Sequence, residues 1–436
     1  MDCTLQTVDF SFHDKVRIFS YDYLKCCIYL THVQASRYTC TKKLYSKLIS
    51  TSQLLEDLLD FHGAKNNRNW YFYRELSAAV RHLSAAAYSQ KHIFNRLPFY
   101  DLNETESFAE LGEQVHDFLV HTLQRLAPTI LEEANRLGIP MPDEVYSVTD
   151  FPRVSTAQIL DFDIDDEEST QKTESVVRIA ADFLNIVETF DQIGINQPVP
   201  SDEIRRMVPS SVNEVEIRRY EMMVHNLQSS FDSYVIHGGF RFGNRKLKRM
   251  RGYFSVALHL LEITGKLLHF YERHLHDVGY KNVYKQVRDR MAELIPPDQL
   301  VEYTINYGLY YTCYFMRQGQ DLAEAVLGEN IEHDSITVGI PYKLGFHTRP
   351  SLLVAKIVQH YGGNVEMIVG ESQFDASSVL DIQWAGGKIQ KENINEVVFR
   401  GDKRALRDIS VLAGVNYGED TMGKGVPLPK ELAYLR

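Results

Sequence analysis

"SITVGIPYKLGFHTRPSLLVAKIVQHYGGNVEMIV", residues 335–369, is the stretch on which the fold turns. Apolar residues alternate over 335–340, the pattern of a half-buried strand. They recur at helical spacing from Leu352 to Val358, Gly362 and Gly363 then supply a helix stop, and a second strand follows over 364–369. Gly345 suits a tight bend, and Pro350 is tolerated only in the first turn of a helix, so His347 stands at a helix N-terminus. There the free N–H groups and the positive dipole end favour an anion, and Arg349 can fork onto phosphate oxygens. Gly345, Thr348, Pro350 and Ser351 complete a candidate phosphate-binding turn, and an imidazole beside it can carry a phosphoryl group.

Working outward, 372–376 and 394–400 read as further strands, and 348–363, 378–387 and 402–414 as helices that end at Gly. The order is strand, helix, two strands, helix, strand, helix. This predicts a small open-faced α/β sandwich (βαββαβα) over 331–415, with a tail at 416–436. Upstream the spacing is helical, as in 52–63, 108–138, 175–194 and 254–279, with a kink or break expected at Pro128. The expectation is a multidomain α and α+β protein: roughly eight to ten helices in a large all-α N-terminal region, then the sandwich. An acidic connector at 159–174 divides the helices into halves 1–158 and 175–330, which can pack as one unit. Its core, "DFDIDDEES" (161–169), fails as a calcium loop, because Asp166 stands at the Gly position and Lys172 at that of the bidentate Glu.

Length 436, 44% hydrophobic and 24% charged residues fit an ordinary globular chain. The N-terminus lacks a signal peptide's basic and apolar regions, and no stretch could insert in a membrane, so a cytoplasmic location is expected. Five Cys, odd in number and without a C-x-x-C spacing, read as buried, inert thiols. A net charge of -11 gives no reason to expect nucleic acid as a partner.

The element order and "KLGFHTRPS" (343–351) resemble the histidine-containing phosphocarrier HPr of the phosphoenolpyruvate-dependent phosphotransferase system. The resemblance covers about 335–414 and implies a phosphocarrier or regulatory role. By it, His347 is the phosphoryl acceptor and Arg349 its phosphate partner. It further implies an enzyme I type donor, with phosphoenolpyruvate as indirect phosphoryl source and no cofactor, and an unnamed downstream acceptor. Ser378 matches the family's regulatory Ser, which implies an HPr kinase; a helix N-cap is its plainer role. Tyr342, Ser351, Asp381 and Gln383 depart from the family pattern and alter its docking face. On this reading the helical region is a sensor or partner module, and the chain is a carrier more than a turnover enzyme. The alternatives are a non-phosphorylated docking protein and a metal-dependent phosphohydrolase regulated by the HPr-like domain.

The hydrolase alternative rests on "HLHDVG" (274–279), which is similar to the His-Asp pair of HD-type phosphohydrolases. His237 or His259 would be the upstream ligand, and Asp298 or Asp321 the downstream one. His269, Glu272 and His276 also share a helix face at i, i+3 and i+7. A surface helix with satisfied histidines is the reading adopted, and no metal is expected. The basic run 241–251, with Arg241, Arg245, Lys248 and Arg249, is a candidate anion patch or a solvated face. Three motif matches fail: "GEDTMGKG" (418–425) lacks the Ser/Thr and helix of a phosphate loop, "HGGF" (237–240) lacks a nucleophile elbow, and "EQVH" (113–116) stands alone.

Overall fold

The computed structural model describes residues 10–36, 38–153, 172–233, 245–276, 278–330, 332–342, 344–362 and 365–435. They are mostly helical, with one four-stranded antiparallel sheet, as expected for a multidomain α and α+β protein. None of the described helices is long and apolar enough to cross a membrane. The chain sorts into two compact units. The first comprises Met1–Asp165, Phe190–Gln228 and Lys248–Gln318; the second comprises Asp166–Thr189, Ser229–Leu247 and Gly319–Arg436. Thus the second unit begins ahead of the expected boundary at 331 and draws in two upstream segments. Residues 154–171, which hold the core of the acidic connector, lie outside the described residues, as do Arg241 and 237–240.

Twelve α-helices precede residue 331 among the described residues, more than the apolar period suggests. They are α1 (Phe12–His32), α2 (Lys42–Phe61), α3 (Tyr71–Arg96), α4 (Glu106–Arg136), α5 (Lys172–Asp191) and α6 (Ser201–Met207). After them come α7 (Glu214–Phe231), α8 (Arg245–Phe270), α9 (Asn282–Leu294), α10 (Pro297–Tyr303), α11 (Tyr310–Gln318) and α12 (Gln320–Asn330). The surplus comes from short helices such as α6 and α10, whose seven residues are too few to display a period. α1 to α4 pack on one another. α4 runs through Pro128 without a break, since Pro128 is exposed and water can bond the carbonyl it frees. Cys26, Cys27, Cys40 and Cys313 are buried and free, and burial pushes the Cys26 thiol up to about 12.

In the second unit the strands are β1 (His333–Gly339), β2 (Val365–Val369), β3 (Ser372–Asp375) and β4 (Glu396–Asp402), in sheet order β1-β4-β2-β3. Pairing brings Ile336, Phe399, Met367 and Phe374 into one row across the sheet, a consequence of the two-residue strand period. The helices α13 (Thr348–His360), α14 (Val379–Glu392) and α15 (Lys403–Gly414) share a core with the sheet. α15 contributes Ala405, Leu406, Ile409 and Leu412, a helical stripe. α14 outlasts its expected end at Gly387. Gly386 lies against the Phe346 carbonyl, where a Cβ would be 3.1 Å from that oxygen, so packing favours the glycine within the helix. Residues 416–435, expected as a tail, fold back into this core through Tyr417, Leu432 and Leu435.

Candidate functional site

His347 is the N-cap of α13, in extended backbone, and 31% of its side chain is exposed. Gly345 makes the preceding bend at φ +59°, a left-handed conformation that suits glycine. His347 N–H donates to the Gly345 carbonyl at 2.8 Å, and Pro350 is buried in the first helical turn. Thr348 is exposed, and its Oγ1 accepts from Gln383 Nε2 at 3.2 Å. Ser351 needs a correction. Its side chain is fully buried, Oγ donates to the Phe346 carbonyl at 3.0 Å and N–H to the His347 carbonyl at 3.1 Å, so both donors are spent away from a phosphate.

The folded-back segment completes the site. Glu419 is buried, and its carboxylate oxygens lie 3.0 and 3.1 Å from His347 Nε2. Asn416, Tyr417 and Gly418, which precede it, all have positive φ. Two of these are not glycine, a strain of ~1–3 kcal/mol each that the surroundings must hold. Tyr417 is the anchor: its ring meets that of Phe346 at 5.1 Å, and its hydroxyl donates to the Gly339 carbonyl at 2.7 Å. Arg349 packs directly over Gly425, where any Cβ would overlap its guanidinium. Both Glu419 and Gly425 fall in the stretch that fails as a phosphate loop, and neither carries a local signal of this role.

Ser378 caps α14, its Oγ accepting from Asp381 N–H at 3.3 Å. Ser378→Ala should lower stability by about 1 kcal/mol, read as a fall in the denaturation midpoint. An unchanged midpoint would leave the cap without thermodynamic weight. In the basic run, Arg245 and Lys248 are exposed, Lys246 pairs with Glu329, and Arg249 stands 6.0 Å over the Tyr253 ring. Part of the expected anion patch is therefore spent within the protein.

The helical unit gathers a different set of histidines from the one expected. α8 runs into a π turn at Tyr271–His276. In an α-helix residues five apart point about 140° away from each other, whereas the i→i+5 bond of a π turn brings them to one side. His274 thus joins His269, with ring centroids 5.9 Å apart, and both meet His82 of α3. His269 Nδ1 lies 2.8 Å from Glu214, and His274 Nδ1 lies 2.6 Å from Glu75. Burial shifts the His82 and His269 imidazoles downward, toward the neutral form. Glu272 instead accepts the Glu214 N–H at 2.7 Å, and His276 faces the Tyr271 ring. Of the HD-type candidates, Asp298 pairs with Arg205, His259 lies 2.9 Å from Glu262, and His237 and Asp277 lie outside the described residues. No family model matches the chain, and no curated protein and no solved structure matches it.

Proposed function

We propose that the C-terminal unit is an HPr-like phosphocarrier or regulatory module, acting in the cytoplasm, in which His347 accepts a phosphoryl group from an enzyme I type donor. The observation that carries this reading is the pairing of His347 Nε2 with the buried Glu419. In a neutral imidazole, an Nε2–H held by a carboxylate leaves the lone pair on Nδ1, the nitrogen free to attack phosphorus. The Nδ1–P bond forms as the donor's bond to phosphorus breaks. Arg349 and the first N–H groups of α13 then hold the added charge. Exposed Tyr342, Leu344, Leu380, Trp384 and Met422 offer the donor an apolar surface.

The test is to charge the cognate enzyme I type donor with labelled phosphoenolpyruvate and present it to the full chain. One phosphoryl group per chain is expected, lost in mild acid and kept in base, as a phosphoramidate requires. No label, or one that survives acid, overturns the reading in favour of a docking module.

A further inference from the structure

We infer that His82, His269 and His274 form a binding site for a divalent transition-metal ion of the zinc class, with one coordination position left for solvent. One ring nitrogen from each residue lies within 4.8 Å of the other two. The carboxylates supply a second, independent observation. Glu75 accepts from His274 Nδ1 at 2.6 Å, which holds the proton there and leaves Nε2 with its lone pair, while Glu214 stands 2.8 Å from His269 Nδ1 without hydrogen-bond alignment and comes into line as the ring turns. This is the arrangement that orients metal-bound histidines. A third observation concerns His82, which is 5% exposed and whose Nδ1 has no hydrogen-bond partner. Buried polar atoms almost always have one.

The donor set selects the ion. Imidazole suits Zn²⁺ and its neighbours, whereas Mg²⁺ and Ca²⁺ take oxygen. Bonds of ~2.0–2.1 Å in a tetrahedron put the nitrogens roughly 3.3 Å apart, so binding closes the triangle by up to roughly 1.5 Å. His269 can supply that movement, since 24% of its side chain is exposed, and it gives water a route to the fourth position. Arg81 Nη2 donates to His82 Nε2 at 2.9 Å, so metal binding through His82 Nδ1 moves that ring's proton from Nδ1 to Nε2 and turns Arg81 away, toward Glu56 at 3.0 Å from its Nε. The π turn that aligns the two helix-borne histidines is itself a feature found at functional sites.

The full chain, stripped with a chelator, is titrated with Co²⁺ and read by visible absorption, with Zn²⁺ as competitor and elemental analysis for stoichiometry. One Co²⁺ per chain is expected, with the intense bands of a four- or five-coordinate ion, displaced by Zn²⁺. His269→Gln, at the most exposed ligand and so the least threatening to folding, should weaken binding at least a hundredfold. Glu214→Gln keeps all three ligands and should weaken it about ten- to a hundredfold. His259→Gln is the control, since the His92–His259 pair, with centroids 4.1 Å apart, has no third ring in the group. Substoichiometric uptake by the wild-type chain, weak six-coordinate bands, or equal binding by His269→Gln and wild type would overturn the site. If His269→Gln does not fold, Glu214→Gln decides alone, and wild-type affinity in it counts against the proposal.

Discussion

If His347 carries a phosphoryl group as proposed, Glu419→Gln is expected to slow transfer to it by about 10²- to 10⁴-fold, and Glu419→Ala to slow it less. The bracket runs from carboxylates that orient metal-bound histidines to the buried Asp of hydrolase triads. The order of the two variants is the sharper expectation. A Gln amide can turn its NH₂ toward Nε2, which stabilises the tautomer with the proton on Nδ1 and removes the attacking lone pair. Alanine only releases the ring, leaving both tautomers accessible. Initial rates of label incorporation from the cognate donor measure the effect, with His347→Ala, which should take no label, as the floor. Transfer by Glu419→Gln at the wild-type rate would mean that the carboxylate is not an orienting group.

Arg74→Met is expected to destabilise the helical unit by about 3–5 kcal/mol, the usual result of removing one partner from a buried ionic network. Arg74 is 5% exposed. Its guanidinium bonds Asp60 through Nε and Nη2 at 2.8 Å each, Glu56 at 2.8 Å and Glu75 at 3.0 Å. Without it, Glu56 is left with Arg81 and Glu75 with His274, and both buried carboxylates lose the cation they share. Burial raises the Glu56 carboxyl above its ordinary value even with Arg74 in place. A carboxyl whose pKa is higher folded than unfolded gains stability as pH falls, so the deficit of Arg74→Met should shrink in mild acid. Chemical denaturation at two pH values checks both claims. A loss below about 1 kcal/mol, or one that grows as pH falls, would contradict the network's role.

How much of this was legible in the sequence depends on how local the cause is. Strands β1 to β4 and helices α13 to α15 follow from a change between two-residue and 3.6-residue periods, which a short window contains. The place of His347 follows from Gly345 and Pro350, two residues whose backbone limits act locally. Ser351 looked like a phosphate ligand because it stands one position after Pro350, yet the first turn points its hydroxyl into the core. Glu419 lies 72 positions from His347, and no periodicity spans that gap. The end of α14 went unseen for a related reason: Gly386-Gly387 reads as a stop, and only the tertiary approach to Phe346 makes it an asset. His274 does not stand out in the sequence because at 3.6 residues per turn it faces away from His269.

The π turn at Tyr271–His276 encloses one more residue per hydrogen bond than the α-helix it continues. Deleting any single residue between His269 and His274 would restore the α-helical count while leaving all three histidines in the sequence. His274 would then stand four positions from His269, about 40° around the axis and so still on the same face. The pairing of the two rings therefore does not depend on the extra residue, which the π turn absorbs without turning the helix face. A one-residue deletion within this turn would be absorbed much as a surface loop absorbs one, whereas the loss of a histidine would not.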